Sequence, residues 1–214
     1  PGSRNDQTLM RRRTAVAALL AMLTVTPAHA DDSRDGGGRA TPGAVADEAI
    51  WSALKEGGKV VLIRHAAVER TSGNPVLHVP GDCSKEPKLS PLGREQAKKI
   101  GEMFRARGIP VGEVLASPYC RTIDTARLAF GSAKPSEALR LIEGIGAQEV
   151  ERINAQAMKL IGGYKGKANL ILVTHQPNVE AIALENLETA GMLVLAPKGD
   201  EEFDVLGRIP APGN

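Results

Sequence analysis

Two short segments, residues 59–63 (Lys-Val-Val-Leu-Ile) and 169–174 (Asn-Leu-Ile-Leu-Val-Thr), constrain the fold more than anything else in the chain. Each is an almost unbroken apolar run of strand length, the pattern of a strand covered on both faces. Helical patterns lie around them. Asp47 is placed to cap a helix that Gly57-Gly58 stop, and Ser90-Pro91 open a helix that directs Leu92, Ala97, Ile100 and Phe104 inward and ends at Gly108. Residues 114–116 read as a second strand, followed by a helix through Thr125 and Leu128, and residues 139–142 as a third strand. Residues 149–161 are helical in pattern, and Pro177 opens a further helix. Residues 192–196 and 203–209 read as closing strands, with a Pro-Lys-Gly-Asp turn between them. Strands separated by helices predict an α/β chain, a three-layer α/β/α sandwich on a mainly parallel central sheet.

Residues 1–30 have another character. Met10 is followed by Arg11-Arg12-Arg13, an apolar run over residues 15–25, and Ala28-His29-Ala30. A positive region, a short apolar stretch and an A-x-A site form a secretory signal, with cleavage expected after Ala30. The apolar stretch is short of the ~20 residues of a permanent span. No cysteine follows the site to carry a lipid, so no stable membrane anchor is expected after cleavage. The expected location is periplasmic or secreted. Residues 31–46, with Gly36-Gly37-Gly38 and Pro42-Gly43, read as a flexible leader, and residues 47–214 as one folded domain. Four of the 27 basic residues and one of the 25 acidic ones lie in residues 1–30, leaving 23 against 24. A near-neutral body with 3% aromatic residues does not suit a nucleic-acid partner.

In sheets of the predicted kind, ligands bind at the carboxyl ends of the strands. Three such ends carry reactive side chains: Arg64-His65 after the first strand, Ser117-Pro118-Tyr119-Cys120-Arg121 after the second, and His175 after the run ending at Thr174. Imidazole can attack phosphorus, and the guanidinium fork matches phosphate oxygens. Two of each predict a pocket for a dianionic phosphoryl group, with charge to stabilise it in flight. His65, His78 and His175 lack a His-x-His or His-x-x-x-His pair, and Arg64 adds positive charge, so no metal site is expected. His78 reads as a solvated loop residue, and Arg94, Glu95, Lys98 and Lys99 as a solvated helix face. Neither a P-loop nor a dinucleotide fingerprint is present, and no cofactor is expected.

Over about residues 59–196 the sequence resembles the histidine phosphatase superfamily, which includes the phosphoglycerate mutases. The resemblance rests on four elements in order. These are the strand leading into Arg64-His65, the helix entry Leu89-Ser90-Pro91-Leu92-Gly93-Arg94-Glu95-Gln96-Ala97, Ser117-Pro118 with Arg121, and the strand leading into Thr174-His175. It implies His65 as the nucleophile that becomes a phosphohistidine, with Arg64, Arg121 and His175 holding the phosphate. It also implies a general acid after the third strand, where Glu143 falls; Glu149 and Glu69 compete for that role. The signal sequence and Gln176-Pro177-Asn178 are similar to the small exported phosphatases, and Asp82-Cys83-Ser84 resembles the group containing lipopolysaccharide-core heptose phosphatases. The expectation is an exported, metal-independent phosphomonoesterase acting on a small phosphorylated substrate, with sugar and lipopolysaccharide-core phosphates as candidates. The alternatives are a phosphoglycerate mutase-like phosphoryl transferase and a non-catalytic phospholigand-binding protein. The binder gains weight from Ala66, which stands where the family usually has Gly after the nucleophile and requires a loop without positive φ there.

Cys83 and Cys120 are the lone cysteines. An exported chain reaches an oxidising compartment, and both flank expected site loops, so a bridge is expected over two buried thiols.

Overall fold

The computed structural model describes residues 42–70 and 80–213. The expected signal sequence, most of the leader and His78 lie outside these residues. In chain order the elements are α1 (Pro42–Glu56), β1 (Val60–Arg64), α2 (Pro91–Ala106), β2 (Val111–Ala116), α3 (Cys120–Phe130), β3 (Lys134–Pro135), α4 (Ala147–Gly162), β4 (Asn169–Thr174), α5 (Gln176–Ala183), β5 (Met192–Gly199) and β6 (Glu202–Ile209). A 3-10 turn, Glu137–Leu139, precedes α4. Among the described residues no helix is long and apolar enough to cross a membrane.

The six strands form one sheet in the order β3-β2-β4-β1-β5-β6. Neighbours from β3 to β1 are parallel, whereas β1–β5 and β5–β6 are antiparallel. The two apolar runs are the central pair, with Val60 opposite Leu170 and Ile63 opposite Val173. Their alternate residues serve two cores. Val61, Ile63, Ile171, Val173, Met192 and Val194 pack with α1, α2 and α3 on one face. Val60, Leu62, Leu170, Leu172, Leu193 and Leu195 pack with α4 and α5 on the other. Side chains alternate across a strand, so strands covered on both faces must be apolar at every position. That is the three-layer sandwich expected from sequence.

Local signals place the helices. The Ser90 hydroxyl accepts the Gly93 N–H at the start of α2, with Pro91 at the first helical position. Gly108, at φ 64°, follows the helix end.

Several expectations need correction. The first helix begins at Pro42, so residues 42–46 belong to it and not to the leader. Leu92 is 52% exposed, while Ala97, Ile100 and Phe104 are buried as expected. The third strand is Lys134–Pro135 and not residues 139–142. Leu139 is fully buried in the second core, but the backbone there is satisfied by side chains: Thr174 Oγ1 donates to the Leu139 carbonyl and Asn178 Nδ2 to the Arg140 carbonyl. An apolar residue was needed at that position; a ladder was not. The last hairpin turns at Asp200-Glu201, with Pro197, Lys198 and Gly199 inside β5.

Candidate active site

The register β2-β4-β1 sets the site. Arg64 lies opposite Thr174 and Ala116 opposite Val173, so the next residues, His65, Ser117 and His175, emerge from three adjacent parallel strands at one edge. The His65 N–H donates to the Thr174 carbonyl and the Ser117 N–H to the Val173 carbonyl, extending the ladder into the site. Arg64, His65, Arg121, Glu143 and His175 all line one cleft of about 450 Å³, together with Val68, Glu69, Pro87 and Leu141. Glu149 is absent from it; its carboxylate is held by Arg152 on the surface of α4. Glu69 and Glu143 are both exposed on the cleft wall.

The backbone after His65 is fastened from three sides. Thr125 Oγ1 accepts the Ala66 N–H and donates to the Arg121 carbonyl. Gln96 Oε1 accepts the Ala67 N–H, while the Ser90 N–H and hydroxyl donate to the Ala67 carbonyl. Helix α2 comes close enough that a Cβ on Gly93 would stand 1.9 Å from the Ala67 oxygen. Glycine is required there for close approach. Ala66 is fully buried and is not among the non-glycine residues with positive φ, which are Leu184, Ala190 and Asp200 in the described chain. Its methyl group is therefore accommodated without backbone strain.

Hydrogen bonding fixes both imidazoles. His65 Nδ1 lies 2.9 Å from the Ala66 carbonyl oxygen. A carbonyl only accepts, so Nδ1 carries the proton and Nε2 keeps the lone pair. Arg121 Nη2 donates to His175 Nδ1 at 3.2 Å, which places the His175 proton on Nε2, 2.8 Å from Ser117 Oγ. The rings are 5.4 Å apart. Burial, with a smaller contribution from Arg121 and Arg64, pushes the His65 pKa down to about 3, although the Ala66 bond opposes this. Burial followed by Arg121 holds His175 well below the ordinary histidine value. Both rings are neutral at physiological pH.

The arginines are fixed but not saturated. Arg64 Nη1 donates to the Leu187 carbonyl at 2.6 Å, and Arg121 lies 4.7 Å from the centre of the Tyr119 ring. Buried Arg64 Nε and Arg121 Nη1 have no hydrogen-bond acceptor within the described protein. Buried guanidinium N–H groups lining a cleft are suited to an oxyanion. Helices α3 and α5 begin at the same edge, directly after Tyr119 and His175, and their N-termini favour negative charge.

Four contributors were not identified from sequence: Gln96, Thr125, Glu86 and the second role of Ser90. Gln96 and Thr125 are polar residues on otherwise apolar helix stripes, which was the available signal. Glu86 sits in an irregular stretch with no period to read. Its carboxylate is completely buried, accepting the Cys120 N–H at 2.6 Å and the Gly81 N–H at 3.0 Å. Cys83 and Cys120 form a disulfide, with Cα atoms 5.6 Å apart.

Residues 60–146 match the model of the histidine phosphatase superfamily, branch 1. Among solved structures, the fold is similar to the protein histidine phosphatase SixA complexed with tungstate. The two share 13% identity, with 71% of this chain and 96% of that chain covered, at a TM-score of 0.53. It is also similar to phosphoserine phosphatase from Entamoeba histolytica in complex with 3-phosphoglyceric acid. There the identity is 15%, with 72% and 98% covered, at a TM-score of 0.52. No curated protein matches the sequence. The matched segment, residues 60–146, carries His65, Arg121 and the intervening helix entry, and β4 adds His175 at the same sheet edge: over that segment the chain is similar to the histidine phosphatase superfamily, branch 1, and its fold is similar to those of the two solved phosphatases.

Proposed function

We propose that the protein is a phosphomonoester hydrolase that works through a phosphohistidine on His65 without a metal. One observation supports this reading above the others. Nδ1–H donates to the Ala66 carbonyl, and Nε2 is left as a neutral nucleophile beside two guanidinium groups, each with an N–H that meets no acceptor among the described residues. Burial keeps that ring unprotonated at all but strongly acidic pH. Nε2 attacks phosphorus, forming the N–P bond as the bond to the leaving oxygen breaks. Arg64 and Arg121 take up charge on the equatorial oxygens, the task a metal performs in other phosphoryl-transfer sites. Glu143 gives its proton to the departing alkoxide; water then attacks phosphorus as the Glu143 carboxylate takes its proton, the N–P bond breaks with its electron pair returning to Nε2, and inorganic phosphate is released. His175, which donates to Ser117 and accepts from Arg121, orients Arg121 and reaches the phosphate by sharing its Nε2 proton.

A small phosphorylated substrate fits the size of the cleft, and the solved relatives named above hold an oxyanion and a phosphorylated small acid. Sugar and lipopolysaccharide-core phosphates remain the candidates on sequence grounds. The unstrained Ala66 favours the enzyme over a binder that has lost turnover. Hydrolysis of p-nitrophenyl phosphate in EDTA tests the reading. Wild-type turnover is expected, with Arg121→Ala losing both affinity and rate because its charge serves ground and transition states. No turnover by folded wild-type protein, or turnover abolished by EDTA, would contradict it.

Export is part of the proposal. It is supported by the Arg11-Arg12-Arg13 and Ala28-His29-Ala30 pattern and by the disulfide, which persists in oxidising compartments. The exported chain should begin at Asp31; an intact residue 10–30 segment in periplasmic material would overturn this.

A further inference from the structure

We propose that Glu86 is the positioning residue for Arg121, and that the Cys83–Cys120 disulfide holds the Glu86 segment against the start of α3 for this purpose. This rests on Arg121 being a phosphate ligand, as proposed above.

Glu86 is a carboxylate with a fully buried side chain, an expensive group to place away from water unless partners satisfy it. Its partners come from separate parts of the chain. Oε1 accepts the Gly81 N–H, and Oε2 accepts the Cys120 N–H at the first turn of α3. The same Oε2 lies 3.7 Å from Arg121 Nη1, and the Arg121 side chain is itself 5% exposed. At that distance the contact is an ion pair without a hydrogen bond, consistent with Nη1 having no hydrogen-bond acceptor among the described residues. The geometry therefore holds the guanidinium by charge while leaving an Nη1 proton for an incoming oxyanion. On its other side Arg121 is held by His175 Nδ1 and the Tyr119 ring. Glu86 supplies the counter-charge in this enclosure, and it opposes the effect of burial on Arg121.

The segment carrying Glu86 includes a local turn. The Lys85 and Glu86 N–H groups donate to the Asp82 carbonyl, and the Ser84 hydroxyl to the Asp82 carboxylate. The disulfide joins this turn to Cys120, whose own N–H is the Glu86 ligand and whose neighbour is Arg121. Pro87, next to Glu86, lines the cleft. The bridge, the buried carboxylate and the arginine thus form one connected support.

The test compares four proteins: wild type, Glu86→Gln, Arg121→Ala, and the double variant. The dissociation constant for inorganic phosphate is read by calorimetry and kcat/KM with p-nitrophenyl phosphate, each on protein shown folded by circular dichroism. Glu86→Gln should weaken phosphate binding at least tenfold in the wild-type background and less than twofold when Arg121 is already Ala. Such non-additivity is the signature of action through Arg121. A purely structural role would give equal losses in both backgrounds, and that result overturns the proposal. If Glu86→Gln does not fold, Glu86→Asp makes the same comparison, with at least threefold loss expected only where Arg121 is present. Wild-type protein that binds phosphate through Arg121 without turnover would end the phosphatase reading and leave the positioning role standing. Wild-type protein that does not bind phosphate ends both.

Discussion

At the scale of single residues, the proposed nucleophile and three of the residues around it were legible because they sit at or just after the ends of apolar strands. Arg64, His65 and His175 needed only the identification of β1 and β4, which continuous hydrophobicity made secure. Arg121 needed the Ser117-Pro118 landmark. Gln96 was hidden by its neighbours, since Arg94, Glu95, Lys98 and Lys99 made its stretch look solvated although it is 1% exposed. Glu86 was hidden because its ligands are 5 and 34 residues away. The proposed general acid is the position that sequence left most open; of its three candidate glutamates, Glu69 and Glu143 line the cleft and Glu149 does not. Glu143→Gln should slow substrates with poor leaving groups, such as alkyl phosphates, by about 10²-fold or more, in line with the loss of a general acid. The same change should have little effect on p-nitrophenyl phosphate. Glu69→Gln should not discriminate between them. Steady-state rates on both substrates decide, and the reverse pattern would transfer the role to Glu69.

At the scale of elements, α2 was predicted almost to the residue, because Ser90, Pro91 and Gly108 mark its ends by chemistry that acts locally. The two-residue β3 was missed because so short a strand has no period, and Leu139 mimicked a strand residue by being buried. The exposure of Leu92 has a related cause: the first turn of α2 is directed by Gly93, which faces Ala67, and its neighbour is left outside. This close approach makes Gly93 a point where packing and the site meet. Gly93→Ala places a methyl group against the Ala67 carbonyl and should cost about 1–3 kcal/mol, the usual range for overpacking. It should also lower kcat, because Ala67 lies two residues from His65. Urea unfolding with parallel kinetics checks both effects; unchanged stability would mean that α2 can move away without cost. The disulfide spans 37 residues, and the loop-closure argument gives it about 4 kcal/mol of stabilisation through the unfolded chain.

At the scale of the whole molecule, stability is linked to pH through two buried neutral imidazoles. The unfolded chain protonates His65 near the ordinary value of 6.5, but the folded protein resists until about pH 3. Between those values the unfolded state binds more protons, so stability rises with pH and falls as the solution is acidified. His175 adds in the same direction. Between pH 6.5 and 5, above the range where most carboxylates titrate, the Tm of wild-type protein should fall steadily. His65→Ala removes one of the two groups and should flatten that slope. A variant whose Tm tracks wild type in parallel across this interval would show that His65 protonates as easily in the folded protein as in the unfolded chain.

The central claim is that His65 Nε2 forms a bond to phosphorus, and trapping that bond tests it most directly. Wild-type protein mixed with p-nitrophenyl phosphate is quenched in alkali within one turnover, digested at high pH and mapped by mass spectrometry. The predicted result is one phosphate, labile to acid, on the peptide containing His65, and none on folded His65→Ala protein, which should also have lost essentially all turnover. Phosphate on another residue, or wild-type activity in folded His65→Ala, would contradict the account.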